Sequence, residues 1–355
     1  AVYYETGPPT VLQYEDVAEP VCAPDGVLVG VEAISIEGGD VGNRARGEMP
    51  KVPHIVGYQC GGTILEVGAE VRDRKVGERV VAIMMHGSHA ERVAVPAGFT
   101  FVVPDGLAVE VAACVPIPFG TADDCLFEFG RLRKGETVLI QAGASGVGIA
   151  AVQLAKRAGA TVIATAGSDD KLARLRDEFG LDHGVNYRAT RFVDAVREIT
   201  KGRGCELVVD SVGGATLQGS LDCLAYRGRC ITVGDSSRGG KQIDVSSLAA
   251  GNRSLTGVFL GAETVFGAAR VRSLIEGHLR DVAKGALRVV IDRRFPLAEA
   301  AAAHAHIESR SAFDIAHDLG HKLGLGAWFP FASQEDELRE QAKASGLDWE
   351  TLLRD

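Results

Sequence analysis

The sequence contains no run of 18 apolar residues, no Cys-x-x-Cys pair, no internal repeat and no low-complexity tract. Without the long apolar run, nothing in it is fit to span a bilayer as a helix. The seven cysteines are odd in number and scattered, which argues against a disulfide framework or a Cys-rich zinc site. Reduced thiols in a cytoplasmic protein are the expectation. Positive charge is in short supply: 38 Lys and Arg face 47 Asp and Glu, a net charge of −9. That balance supplies no long-range pull toward nucleic acid or an anionic membrane. The opening Ala-Val-Tyr-Tyr-Glu-Thr-Gly-Pro-Pro lacks a basic stretch followed by an apolar one, so no secretory signal is expected. It also lacks Met, so the expectation is that a few initial residues are missing. What is present is ordinary for a globular chain, with 46% apolar and 24% charged residues over 355 positions. That length suits about two domains, each with a sizeable core.

The first 120 residues read as short strands between Gly and Pro clusters. Val27–Ile34, Gly62–Val67 and Arg79–Ile83 are the clearest strands. The pattern changes near Pro116. From Thr137 onward, apolar β runs alternate with helical spacing: strand Thr137–Ile140, helix Val147–Ala158, strand Thr161–Ala164, helix Lys171–Phe179, strand Glu206–Val209, helix Leu217–Leu224, strand Arg229–Val233. Alternation of this kind predicts a parallel sheet covered by helices on both faces. Arg288–Ile291 reads as a return to strand and Pro296–Glu308 as a helix. Far down the tail, Ser333-Gln334-Glu335-Asp336 has the form of a helix start and Gly346 of a stop.

The sharpest motif is the loop Ala142-Gly143-Ala144-Ser145-Gly146-Val147-Gly148, which follows a predicted strand and opens a predicted helix. Glycines there permit a tight turn and let backbone amides approach a pyrophosphate at the helix N-terminus. The next strand end decides the nucleotide. An NAD site wants an acidic residue there for the ribose 2′-hydroxyl, about 20 residues past the loop. The chain has Thr165-Ala166-Gly167-Ser168-Asp169-Asp170-Lys171 instead. Small residues, a hydroxyl and Lys171 leave room and charge for a 2′-phosphate. Asp169 and Asp170 are expected to N-cap the following helix. NADP(H) is therefore the expected cofactor.

At these residues the sequence resembles the zinc-independent medium-chain dehydrogenase/reductases, specifically the quinone oxidoreductase (zeta-crystallin-like) family. The resemblance runs from residue 1 to about 313. It rests on Gly57 with Gly61-Gly62, the loop 142–148, Val185-Asn186-Tyr187-Arg188, Asp210-Ser211-Val212-Gly213, Ser220-Leu221-Asp222-Cys223-Leu224 and His306-Ile307-Glu308-Ser309-Arg310. It implies an α/β plus β fold: a GroES-like β-rich catalytic domain with an inserted Rossmann domain, a doubly wound parallel sheet. The divisions are 1–120 and 287–313 for the catalytic domain, 121–286 for the NADP-binding domain and 314–355 for an atypical tail. The resemblance also implies that Ser168, Lys171 and Tyr187 hold the cofactor's adenosine 2′-phosphate and that Arg310 reaches the cofactor. Thr121 and the segment Gly234-Asp235-Ser236-Ser237 would lie near the nicotinamide. A homodimer acting on a small quinone or enone is implied too.

Zinc-dependent relatives carry Cys at or beside the position of Glu37 and Gly-His-Glu where this chain has Gly57-Tyr58-Gln59. They also have a four-Cys lobe where Ile83–Pro96 is short and free of Cys. Zinc wants N and S ligands, so none is expected. Without a metal, the chemistry favours acceptors that take hydride directly, quinones or α,β-unsaturated carbonyls, with water supplying the proton. The segment Ser35–Arg44 reads as a loop in place of a family Asn-Phe-x-Asp. There Asp40 matches the Asp, Glu37 replaces the Asn and Gly38 replaces the Phe, opening the pocket. Candidate pocket residues are Tyr58, Asp40 and Glu37. Tyr58 either donates to substrate or packs against Gly61-Gly62, and Asp40 either acts in the pocket or bonds backbone in a turn. No one of them stands out as a general acid. The alternatives to a quinone reductase are an enoyl reductase on a thioester and a non-catalytic NADPH-binding protein of the crystallin kind. The tail either docks through Trp328, Phe329, Phe331 and Leu338 or is a flexible appendage or the product of an altered reading frame.

Overall fold

A computed structural model describes residues 1–234, 236 and 243–308. The chain forms two compact units, Ala1–Ala305 and His306–Asp355. Of the second, only the first three residues, which are helical, belong to the described set. The expected tail contacts, Asp235, Ser237 and Arg310 lie outside it.

The N-terminal part is built from β1 (Gly26–Ile34), α1 (Gly38–Arg46), β2 (Gln59–Val67), β3 (Arg79–Ile83), β4 (Arg92–Pro96) and β5 (Thr100–Val102). Its five strands form one antiparallel sheet in the order β4-β1-β2-β3-β5. Alternate residues point inward, so Val27, Val29, Ile64, Val80, Ala82, Val93 and Val95 make one apolar cluster. The short helices α2 (Val109–Ala112) and α3 (Pro116–Asp123) then lead out of this sheet.

The central part continues with β6 (Thr137–Ile140), α4 (Gly146–Arg157), β7 (Thr161–Ala166), α5 (Asp169–Phe179), β8 (His183–Asn186), α6 (Phe192–Ile199), β9 (Cys205–Asp210), α7 (Gly214–Asp222), β10 (Leu224–Thr232), α8 (Ser246–Ala250), β11 (Ser254–Gly257), α9 (Leu260–Phe266) and α10 (Ala268–Ala283). The six strands are all parallel, in the order β11-β10-β9-β6-β7-β8. Their unbroken apolar runs are explained by burial on both faces. Val138, Ile140, Val162, Ala164, Leu207 and Val209 join the core on one face, with residues of α4 and α10. Leu139, Ile163 and Val208 point the other way, toward α6 and α7. Among the described residues no helix is long and apolar enough to cross a membrane.

Two expectations are corrected. The segment expected as a loop at Ser35–Arg44 contains α1, even though three of that helix's nine residues are glycine. Asp40 Oδ2 accepts the Glu37 backbone amide at 2.8 Å, and the buried Asp40, Val41 and Arg44 tie the helix down. Tertiary packing thus overrides poor helix propensity. Arg288–Ile291 forms no strand. A strand needs a neighbour for its ladder. Here the Gln153 side chain takes that place, receiving the Arg288 amide at 2.8 Å and donating to the Arg288 carbonyl at 2.9 Å.

One buried contact couples the fold to pH. His89 and His304 are fully buried, with their Nε2 atoms 3.1 Å apart. Burial holds both imidazoles neutral, pushing His89 from 6.5 down to about 3 and His304 down to about 4, with the nearby Arg44 charge adding to the effect on His304. Histidines that are neutral when folded bind protons on unfolding. Their contribution is fully present above pH 6.5 and is lost as pH falls through the folded values. The thermal midpoint is therefore expected to drop steeply between pH 6.5 and about 4. A His304→Gln variant should show a shallower slope in that window; an unchanged slope would remove the pair as its source.

Candidate active site

The glycine loop leaves the end of β6 where the strand order reverses. From β6 the chain runs outward through β7 and β8, then returns to β9 on the other side. That reversal leaves a crevice at the carboxyl ends of β6 and β9. The loop lies tight against the sheet. Ala142 adopts a positive φ of 51°, and the Gly143 amide donates to the Thr165 carbonyl at 2.8 Å. A Cβ on Gly143 would sit 2.7 Å from Ala164 Cβ, and one on Gly148 would strike the Ala142 carbonyl oxygen. Gly146 has its nearest foreign atom, Pro118 Cγ, at an ordinary 3.6 Å. The Ser145 hydroxyl caps α4 by accepting the Gly148 amide at 3.0 Å.

A buried polar chain fixes this loop. The Ala142 amide donates to Thr165 Oγ1, which donates to Gln141 Oε1; Gln141 Nε2 donates to Ser220 Oγ, which donates to Asp210 Oδ2. Asp210 Oδ1 meanwhile receives the amides of Val212 and Gly213, both at 2.8 Å. The motif residues around 142, 210 and 220 are therefore one network across β7, β6, β9 and α7.

At the end of β7, Ser168 caps α5, accepting the Lys171 amide at 3.4 Å. This corrects the expectation that Asp169 and Asp170 are the caps. Both lie in the first turn, where the helix dipole favours them, and Asp169 Oδ1 accepts from Asn186 Nδ2 at 3.1 Å. The space over Gly167 is bounded by Tyr187 and Arg188: a Cβ there would lie 2.9 Å from the Tyr187 hydroxyl and 3.2 Å from Arg188 Nε. Ser168, Lys171, Tyr187 and Arg188 thus gather at one strand end with no acidic residue on the strand itself. Arg188 was not among the candidates from sequence, although it adjoins Tyr187 in the quoted motif. These residues fit a phosphorylated nucleotide: a glycine cradle that side chains would fill, then a hydroxyl-bearing corner bordered by the Arg188 guanidinium, with Lys171 in the first turn of α5.

The pocket residues divide. Glu37 Oε1 accepts from Ser35 Oγ at 2.9 Å and from Gln59 Nε2 at 2.7 Å. Gln59 Oε1 in turn accepts the Ile117 amide, at 2.9 Å, in the first turn of α3. Thr121 is buried one helical turn further along the same face. The structure therefore ties Glu37 to the helix that carries Thr121. Tyr58 is turned to α1 instead: its hydroxyl accepts from Asn43 Nδ2 at 2.7 Å, and its ring covers Gly39 rather than the Gly61-Gly62 pair. Burial first, and the Asp40 carboxyl next, push its phenol up to about 12. Asp40 is fully buried and bonds backbone. Ser236 donates its amide to the Ser211 carbonyl at 3.3 Å, beside the end of β9.

Residues 23–105 match the family model of the alcohol dehydrogenase GroES-like domain, and residues 146–274 match that of the zinc-binding dehydrogenases. The chain is 34% identical over 321 residues to a 2-haloacrylate reductase of Burkholderia sp, covering 87% of itself and 95% of that protein. The chain belongs to the medium-chain dehydrogenase/reductase family, in its quinone oxidoreductase group. Within that family the Escherichia coli quinone oxidoreductase complexed with NADPH superposes with a TM-score of 0.81 at 28% identity, covering 87% of this chain and 96% of that one. The chain also matches the highly reducing polyketide synthase dmxL2 of Cryptosporiopsis sp. (strain 8999), 36% identical over 225 residues, 63% of this chain. It spans only 9% of that much longer protein.

Zinc-dependent medium-chain dehydrogenase/reductases place ligands at or beside the position of Glu37 and at those of Tyr58 and Gln59. The donors do not fit. Glu37 is engaged by Ser35 and Gln59, and Tyr58 is a neutral phenol bonded to Asn43. Among the described residues no three His, Cys, Asp or Glu side chains group to hold a metal ion.

Two predictions belong to this site. Arg188→Ala and Lys171→Ala should each weaken NADPH binding by about tenfold or more while leaving NADH binding nearly unchanged, since a bond to a charged group is worth about 1.5–3 kcal/mol. Titration of both nucleotides by nicotinamide fluorescence measures this, and equal losses for the two would remove the corner from phosphate recognition. Ser220→Ala should lower stability by about 1–3 kcal/mol by stranding buried Gln141 and Asp210. Denaturant midpoints report it, and an unchanged midpoint would contradict the network.

Proposed function

We propose that the chain is an NADPH-dependent oxidoreductase that reduces quinones and activated α,β-unsaturated carbonyls without zinc. The single observation that carries this is the pairing of the glycine cradle at 142–148 with the corner of Ser168, Lys171, Tyr187 and Arg188 at the end of β7. Bound there, the reduced nicotinamide supplies the hydride. The chain's own residues do the rest. The α4 amides and Ser145 hold the diphosphate, and the cationic corner selects the 2′-phosphate. Thr121 is assigned to the nicotinamide side. Gly38, with nothing within 4 Å of a Cβ built on it, leaves the acceptor side open. The proposed division of labour gives 1–120 and 287–313 to the acceptor and 121–286 to the nucleotide, in a cytoplasmic homodimer.

A second reading, enoyl reduction on a thioester, is supported by the likeness to polyketide synthases. Both activities share the cofactor and differ in the acceptor. Mixing the protein with NADPH and a 1,4-quinone, a simple enone or an enoyl thioester should bleach the nicotinamide absorbance. Preference for the thioester would select the second reading; tight NADPH binding without oxidation by any acceptor would leave a non-catalytic binding protein.

A further inference from the structure

Glu37 is held by neighbouring side chains through one of its two carboxyl oxygens. Both of the side-chain bonds it accepts converge on Oε1, from Ser35 Oγ and Gln59 Nε2. The orientation of Gln59 is not free to invert. The Ile117 amide can only donate, so Gln59 must present its oxygen to Ile117 and its NH2 to Glu37. Among the described residues no side-chain donor bonds to Oε2; the Asp40 backbone amide faces the Glu37 side chain across the capping box at the start of α1. A carboxylic acid held in this way has its carbonyl oxygen fixed and its hydroxyl oxygen free to deliver a proton.

The surroundings favour the acid form. Burial raises the Glu37 carboxyl above its usual range, with the two hydrogen bonds drawing it only partly back. On its own helix stands Asp40, fully buried and raised well above the carboxylate range, first by burial and further by the Glu37 charge. Cys114, just beyond α2, is pushed up to about 11 by burial, and Tyr58 up to about 12, so neither contributes charge near neutral pH. Beyond Cys114 lies the Glu110–Arg294 ion pair, closed on itself at 2.8 Å. No Lys or Arg among the described residues bonds to Glu37. Its tether runs through Gln59 to the helix that carries Thr121.

We propose that Glu37 is the catalytic acid that protonates the α-carbon of an enone or enoyl substrate. The proposal rests on the reductase reading above and assigns a source to a proton otherwise left to water. The π bond between Cα and Cβ breaks, hydride from the reduced nicotinamide forms the new bond at Cβ, and the electron pair released toward Cα takes the proton from Glu37 Oε2. Two electrons and one proton are thus added along with the hydride's nucleus, the nicotinamide is oxidised, and the Glu37 carboxylate recovers its proton from water.

Glu37→Gln keeps the size and the Oε1 bonds but has no acidic proton. With an enone, its kcat should fall about 100-fold or more. In deuterated water the wild type should place deuterium on one face of Cα, and the variant on both. The wild-type kcat should fall as pH rises through the carboxyl's value, while the variant's should be flat in that range. Ser35→Ala, which removes one bond to the ionised form, should move the midpoint upward and is a milder control should Glu37→Gln fold poorly. A carboxyl ¹³C resonance assigned by comparison with Glu37→Gln reads the same titration without turnover. Retention of enone turnover and of one-face labelling by Glu37→Gln, or a Glu37 carboxyl ionised throughout the working range, would overturn the proposal. Failure of the wild type to oxidise NADPH with any acceptor would instead remove the reductase reading, and the acid role with it.

Discussion

The buried polar chain from the Ala142 amide to Asp210 is the constraint on which the site depends. A loop of small residues at the end of a parallel strand has little side-chain surface to hold it. Left to itself it would sample many conformations, and ordering it costs about 1–2 kcal/mol per residue. Here Thr165, Gln141, Ser220 and Asp210 fix it from beneath. Each of these groups is buried, so each would lose more by going unpaired than it gains by pairing. The network is therefore close to all-or-none, and the cradle above it is rigid before any nucleotide arrives.

A second constraint rests on a single side chain. Gln59, on the first residue of β2, grips the start of α3 with its oxygen and Glu37 with its nitrogen. One side chain thereby joins the antiparallel sheet, the start of α1 and the helix leading to the parallel sheet. The same position in zinc-dependent relatives belongs to a Gly-His-Glu motif. In this chain it serves as a clamp, and what its nitrogen holds is the Glu37 carboxyl.

Much of the fold was legible in the sequence because burial on both faces writes itself as unbroken Val, Ile and Leu. The strand at Thr137–Ile140 was read to the residue, and the strand and helix that follow it to within a residue or two at most ends. Where burial is not the local cause, legibility fails. Three glycines hide α1, which exists because Asp40, Val41 and Arg44 are buried from beyond it. An apolar run at Arg288–Ile291 reads as strand, yet its backbone is answered by Gln153, 135 residues earlier. The cap of α5 was assigned to the wrong neighbours because Ser168 and the aspartates are all good caps locally, and only the backbone path decides between them.

The sequence alone determined the class of the molecule: a glycine loop between a strand and a helix, a strand end without an acidic residue, and family motifs in order. These are local patterns, and local chemistry suffices to read them. Only the tertiary structure decided which side chains meet. It brought Arg188 to the corner with Tyr187, turned Tyr58 toward Asn43, and gathered Ser35 and Gln59 on one oxygen of Glu37. The reason is that hydrogen bonds between residues far apart in the chain have directions, and direction is set by the packing of whole elements rather than by spacing along the sequence.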